Sequence, residues 1–151
     1  MTTREHQYAI AIIQKTIENF NHFEWCQGHE AFNLDNKPTS HHKSDAISLC
    51  LLGGLRRSNW DMTENQDLNL QEKQQGSIIA LLTINNHIAK KGNKTETIPT
   101  DTAAPTHGKP LLEQDIHFLT EFNDKEERTF QEIEHILEQA LQDLQEQIEQ
   151  E

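Results

Sequence analysis

The feature that most constrains this chain lies near its end. Phe130, Ile133, Ile136, Leu137, Ala140, Leu141, Leu144 and Ile148 recur mostly at spacings of three and four. That recurrence lays them along one face of a helix. Just ahead, Thr129-Phe130-Gln131-Glu132 has the pattern of a capping box, in which threonine caps the amides of the first turn and glutamate reaches back. The stripe is broader than a two-per-heptad seam, so it predicts docking on a core and not an isolated coiled coil. Any fold for this chain must offer that helix a broad apolar surface.

The other segments can supply one. Between Thr3 and Phe23, Ile10, Ile13, Ile17 and Phe20 recur at helical spacing, widened by Tyr8, Ile12 and Phe23. Ser44-Asp45 offers an N-cap to the run Ala46-Ile47-Ser48-Leu49-Cys50-Leu51-Leu52, continued by Leu55 and closed by Arg56-Arg57. So apolar a run predicts a buried central helix, with Gly53 and Gly54 admitting a neighbouring backbone. Residues 58–75 read as a polar connection. A third helix carries Ile78 to Ile88 and stops at Lys90-Lys91-Gly92, a cationic last turn and a glycine. Pro110 suits the first turn of a fourth, with Leu112, Ile116, Leu119 and Phe122 on its stripe. The reading is a mainly α-helical single domain over residues 1–151, of about five helices, with room for a short β-hairpin near 31–39. Residues 92–110, which hold three of the four prolines, read as a flexible loop, and 145–151 as an acidic, frayed end.

Charge separates the chain into two parts. The net charge is −12, from 13 lysines and arginines against 25 acids. Residues 1–112 are nearly balanced, with 12 acids and 11 bases, whereas residues 113–151 hold 13 acids against Lys125 and Arg128. Nucleic-acid binding calls for a clustered basic face, and the pairs Arg56-Arg57 and Lys90-Lys91 do not make one. No apolar run approaches the roughly 20 residues that span a bilayer. Two cysteines, Cys26 and Cys50, are too few for a disulfide framework, and with no secretory layout at the N-terminus the expectation is a cytoplasmic chain with reduced thiols.

Three groups of residues have side chains suited to chemistry. His22, Cys26 and His29 would share a face if the first helix ran through them, and imidazole with thiolate suits zinc; Gly28 as a helix stop argues for a plain surface loop. Cys50 has a thiol, but deep in an apolar helix its pKa rises and its nucleophilicity falls. Asp124 and Arg128, after Asn123, could present a polar cluster at a helix junction or simply fix the turn. No phosphate-binding glycine loop, nucleophile elbow or zinc-protease motif occurs.

Three blocks of the chain together resemble a family of small uncharacterised bacterial and bacteriophage proteins. Its pattern is a Trp near a Gly after the first helix, then Cys-Leu-x-Gly-Ala-Leu, then Trp-Asn-Asp-x-x-x-Arg-Thr before a glutamate and an apolar helix. The matching residues are Trp25 and Gly28, then Cys50-Leu51-Leu52-Gly53-Gly54-Leu55. The third block is Phe122-Asn123-Asp124 with Arg128, Thr129 and Glu132. Gly54 stands where the pattern has alanine, and Phe122 where it has tryptophan. The family has no assigned function. The resemblance implies only that Cys50, Asp124 and Arg128 could form one cluster.

With no catalytic motif and a polarised charge, the sequence points away from an enzyme. It favours a protein-interaction or regulatory domain whose acidic last helix (Glu138, Asp143, Glu146, Glu149) meets a basic protein surface; a homodimer is also open to it. The alternatives are a small enzyme or polar-ligand domain using Cys50, Asp124 and Arg128, and a type IV secreted effector, given the glutamates near the C-terminus. No cofactor is expected, zinc at His22, Cys26 and His29 being the one candidate.

Overall fold

A computed structural model of the chain describes residues 4–62, 68–92 and 109–149. Five helices and four short strands follow in the order α1 (Arg4–Asn19), β1 (Glu24–Trp25), β2 (Ala31–Asn33), β3 (Pro38–Thr39), β4 (Ala46–Leu49), α2 (Leu51–Asp61), α3 (Leu70–Gly92), α4 (Lys109–Asp124) and α5 (Phe130–Glu149). It is a mainly helical single domain carrying a small, open mixed sheet. Much of the 92–110 segment lies outside the described residues, as do Gln150 and Glu151.

The helices meet around α1, which packs on α2, α3 and α5, while α3 also touches α4 and α5. The deepest line on α1 is Tyr8, Ala9, Ile12, Ile13 and Thr16, with Ile10, Ile17 and Phe20 packed beside it. The helix stops at Asn19, short of Phe23, because the Asn19 carbonyl takes the amides of both His22 and Phe23 in a closing turn. From α5 come Ile133, Ile136, Leu137, Ala140 and Leu144. Each of its large aliphatic side chains is worth about 1.5–3 kcal/mol of gross burial, which outweighs the small intrinsic propensity of a free helix. The capping box forms: the Thr129 amide donates to Glu132 Oε1 at 2.9 Å, and the Glu132 amide to Thr129 Oγ1 at 3.3 Å.

The sheet has the order β1-β4-β2-β3. β2 and β3 form the antiparallel hairpin near 31–39. Its turn is held by Asn33 Oδ1, which accepts the amides of Asp35 and Lys37. β4 and β2 are the inner strands, with β4 antiparallel to β2 and parallel to β1.

Two elements depart from the sequence reading. Residues 46–49 are strand β4 and not the first turn of a helix, so Cys50 lies at a helix start instead of deep inside one. A run this short and apolar satisfies either periodicity, and here neighbours on both sides take up the backbone groups. Residues 58–75 are not one connection: α2 continues to Asp61 and α3 begins at Leu70. That start is a second capping box, with Asn69 Oδ1 accepting the Glu72 amide and Glu72 Oε1 the Asn69 amide. The paired glycines do admit close neighbours. A Cβ on Gly53 would lie 2.3 Å from the Glu30 carbonyl oxygen, and one on Gly54 2.9 Å from the Phe20 ring.

Candidate functional site

The last turn of α4 delivers Asn123 into the space between β1 and the start of α2. Asn123 is 1% exposed, and its side chain uses both acceptor and both donor positions. Its Oδ1 accepts the Trp25 indole N–H at 2.6 Å and the Leu51 amide at 2.9 Å. Its Nδ2 donates to the Cys26 carbonyl at 3.1 Å and to Asp124 Oδ1 at 2.9 Å. Segments some 70 and 97 residues away in sequence thus meet on one amide.

The loop after β1 wraps the end of α4. Gln27 Nε2 donates to the carbonyls of Asn123 and Lys125, two of the groups a helix C-terminus leaves open. Gly28, in the left-handed region at φ 93°, donates its amide to Asp124 Oδ1 at 3.0 Å. Only glycine takes that backbone without strain. Arg128 donates from Nε to the Phe122 carbonyl at 2.8 Å, lies 3.7 Å over the Phe122 ring and pairs with Glu132 at 3.1 Å.

Cys50 is the N-cap of α2, its sulfur accepting the Gly53 amide at 3.2 Å. Burial pushes its thiol pKa up to about 11; the Gly53 amide opposes this, and the nearby Cys26 and Asp124 charges add to it. Cys26, half-buried, is also raised, first by burial. Its Sγ lies 3.6 Å from the His29 carbonyl. Asp124 therefore sits within electrostatic reach of both thiols. Arg128 is committed elsewhere, to Phe122 and Glu132.

These are the three blocks of the sequence, now in one place. A family model covering residues 4–143 matches the chain, that of the family of unknown function DUF6197. The chain belongs to DUF6197. No curated protein and no solved structure matches it. The matched span contains all three blocks, and Glu146 and Glu149 lie beyond it.

The remaining candidates of this DUF6197 chain lie apart. Among the described residues no group of three or more His, Cys, Asp or Glu side chains is placed to hold a metal ion. His22 and His29 are exposed, and the His29 ring meets Phe32 edge-on at 5.4 Å. On α5, Glu138, Glu146 and Glu149 are exposed, while Asp143 lies 3.3 Å from His87 Nε2. Beside the junction a cavity of about 390 Å³ opens between the end of α1 and the start of α5, lined by Phe20, His22, Phe23, Trp25 and Phe130 among others. Among the described residues no helix is long and apolar enough to cross a membrane.

Two hubs escaped the sequence reading. Asn123 stands in the third block, ahead of Asp124 and Arg128, but nothing local marks it as the hub. Glu30 had no signal at all, since its partners come from a distant loop and helix. Its Oε2 accepts the His41 amide at 2.7 Å and lies 2.6 Å from His41 Nδ1, and its Oε1 accepts Arg56 at 2.8 Å. Its backbone carbonyl accepts the Cys50 amide. Burial alone would raise the Glu30 carboxyl, but the His41 amide, Arg56 and the His41 ring together hold it below the usual range.

Proposed function

We propose that this member of DUF6197 is a non-enzymatic protein-interaction or regulatory domain that engages a basic protein surface through the outer face of α5. The observation that carries the reading is the one-sidedness of that helix. Phe130–Glu149 contains six acids and neither lysine nor arginine, its apolar face is spent on the core, and Glu138, Glu146 and Glu149 point their charge at water. A like-signed face of this kind speeds encounter with an oppositely charged partner. The use of the reactive groups in holding the fold supports the same reading: Cys50 caps a helix, Asp124 holds the Gly28 amide, and Arg128 holds the Phe122 carbonyl. The alternative of an enzyme or polar-ligand domain needs Cys50, Asp124 and Arg128 free to face a substrate. We place the chain in the cytoplasm; translocation as an effector is the alternative.

Binding of a labelled lysine- and arginine-rich peptide tests the proposal, by anisotropy at low and high salt. Replacing Glu138, Glu146 and Glu149 together by glutamine should weaken binding about tenfold, and raised salt should abolish it. Equal affinity for the variant, or binding indifferent to salt, overturns the reading.

A further inference from the structure

The two cysteines lie side by side although 24 positions separate them. β1 and β4 run parallel, with Trp25 opposite Leu49. The Cys26 amide closes that pair, donating to the Leu49 carbonyl at 3.1 Å. Cys26 and Cys50 are the residues that directly follow it on the two strands, with the Asn123 amide bridging the Cys26 carbonyl and the Leu51 amide just beyond. At the paired positions neighbouring strands lie about 4.7–4.9 Å apart, and a disulfide needs a Cα separation of about 4.4–6.8 Å. Facing residues of a ladder share a side of the sheet, and the Cys26 thiol accordingly bonds the side chain of Ser48, two positions before Cys50. The thiols are near enough for the charge of one to act on the other. They differ in access: Cys26 is half-exposed, and Cys50 is only 6% exposed.

We propose that Cys26 and Cys50 form a redox-active dithiol, oxidised by small disulfides to an intramolecular bridge that ties β1 to the start of α2. In the first step the Cys26 thiolate attacks one sulfur of oxidised glutathione. A Cys26–glutathione disulfide forms, the glutathione S–S bond breaks, and the departing glutathione thiolate takes up a proton. In the second step Cys50, having lost its proton to solvent, attacks the Cys26 sulfur and expels the second glutathione as a thiol. Two protein thiols are oxidised and one glutathione disulfide is reduced to two thiols. The Gly53 amide at the Cys50 sulfur stabilises the attacking thiolate. The bridge requires Cys26 to release the His29 carbonyl.

The test equilibrates the full, folded chain with oxidised and reduced glutathione, traps free thiols by acid and alkylation, and weighs the products. The expected product is a monomer lighter by about 2 Da, the mass of two hydrogens, with the peptides of Cys26 and Cys50 joined. The Cys50→Ser variant, in which serine keeps an N-cap, should stop at the glutathione adduct on Cys26. Cys26→Ser should stay unmodified. Wild type that stops at the same adduct, or that links two chains through Cys26 while Cys50 stays free, overturns the proposal.

Discussion

Asn123 and Asn85 are both buried asparagines on helices, at 1% and 0% exposure, and they are treated in opposite ways. Asn123 fills all four of its hydrogen-bonding positions with groups from β1, α2 and its own helix end. Asn85, on α3, donates to the Asp115 carbonyl of α4 at 2.9 Å. Its Oδ1 has no partner among the described residues, and neither does Asp115 Oδ1. The first arrangement makes a unique junction, because an indole N–H, a backbone N–H, a backbone carbonyl and the Asp124 carboxylate must all meet one amide in one geometry. The second, at the seam of α3 and α4, leaves two buried oxygens without partners among the described residues, and there a proton on the carboxyl is favoured. Burial raises the Asp115 pKa accordingly. One polar site fixes the fold and the other makes it respond to pH.

The sharpest way to break the contrast is Asn123→Ala. It strands the Trp25 indole N–H, the Leu51 amide and the Cys26 carbonyl, and each buried group left unpaired costs about 1–3 kcal/mol. A loss of about 3 kcal/mol or more in urea denaturation is expected. The matching Asn85→Ala should cost less, because only one hydrogen bond is given up. Equal losses at the two sites would dissolve the distinction.

How much of this could be read from the sequence follows the same line. α5 was legible because its stripe and its capping box are local and agree with one another. The strand β4 was not, because Ala46–Leu49 is short, and only β1 and β2 on either side decide between strand and helix. The start of α3 escaped because Leu70–Gly76 is polar on its surface, although Asn69 and Glu72 are a capping pair in plain view. At the junction, the three blocks held the right segments, Asn123 among them, but did not single it out as the hub. Asp124 and Arg128 attract attention by charge, whereas the work is done by a neutral amide whose partners arrive from far along the chain. Glu30 shows the same thing, since nothing local joins it to His41 and Arg56.

The seam offers the second prediction. The Asp115 carboxyl holds its proton more tightly in the folded chain than in the unfolded one. Its contribution therefore favours the fold below the unfolded pKa and is lost as pH rises through the folded value. Asp115→Asn removes the charge while keeping the shape. At neutral pH it should raise the melting temperature by about 2–4 °C, equivalent to about 1 kcal/mol. The gain should shrink steadily in acid. Melting curves of both proteins across pH check this, and a gain that is absent at neutral pH would mean the seam already satisfies the carboxylate.

The smallest effect belongs to the rim of the junction and has the opposite sign with pH. Glu132 is held below the usual carboxylate range chiefly by the Thr129 amide, against some desolvation, with Arg128 and Lys91 assisting. Its contribution is thus present above the unfolded pKa and is lost as pH falls through the folded value. Thr129→Ala removes the reciprocal half of the cap and should cost about 1 kcal/mol. Glu132→Gln should cost less at neutral pH, since an amide oxygen still accepts the Thr129 N–H, and it should lose less than wild type on acidification. The difference between wild type and Glu132→Gln then closes from the neutral side, where the difference for Asp115→Asn also starts, but the two begin with contrary signs. Wild type is the more stable partner in the first pair and the less stable in the second. If both differences carried the same sign, the cap and the seam would be feeling one shared field, and the separation of a sealed junction from a titrating seam would fail.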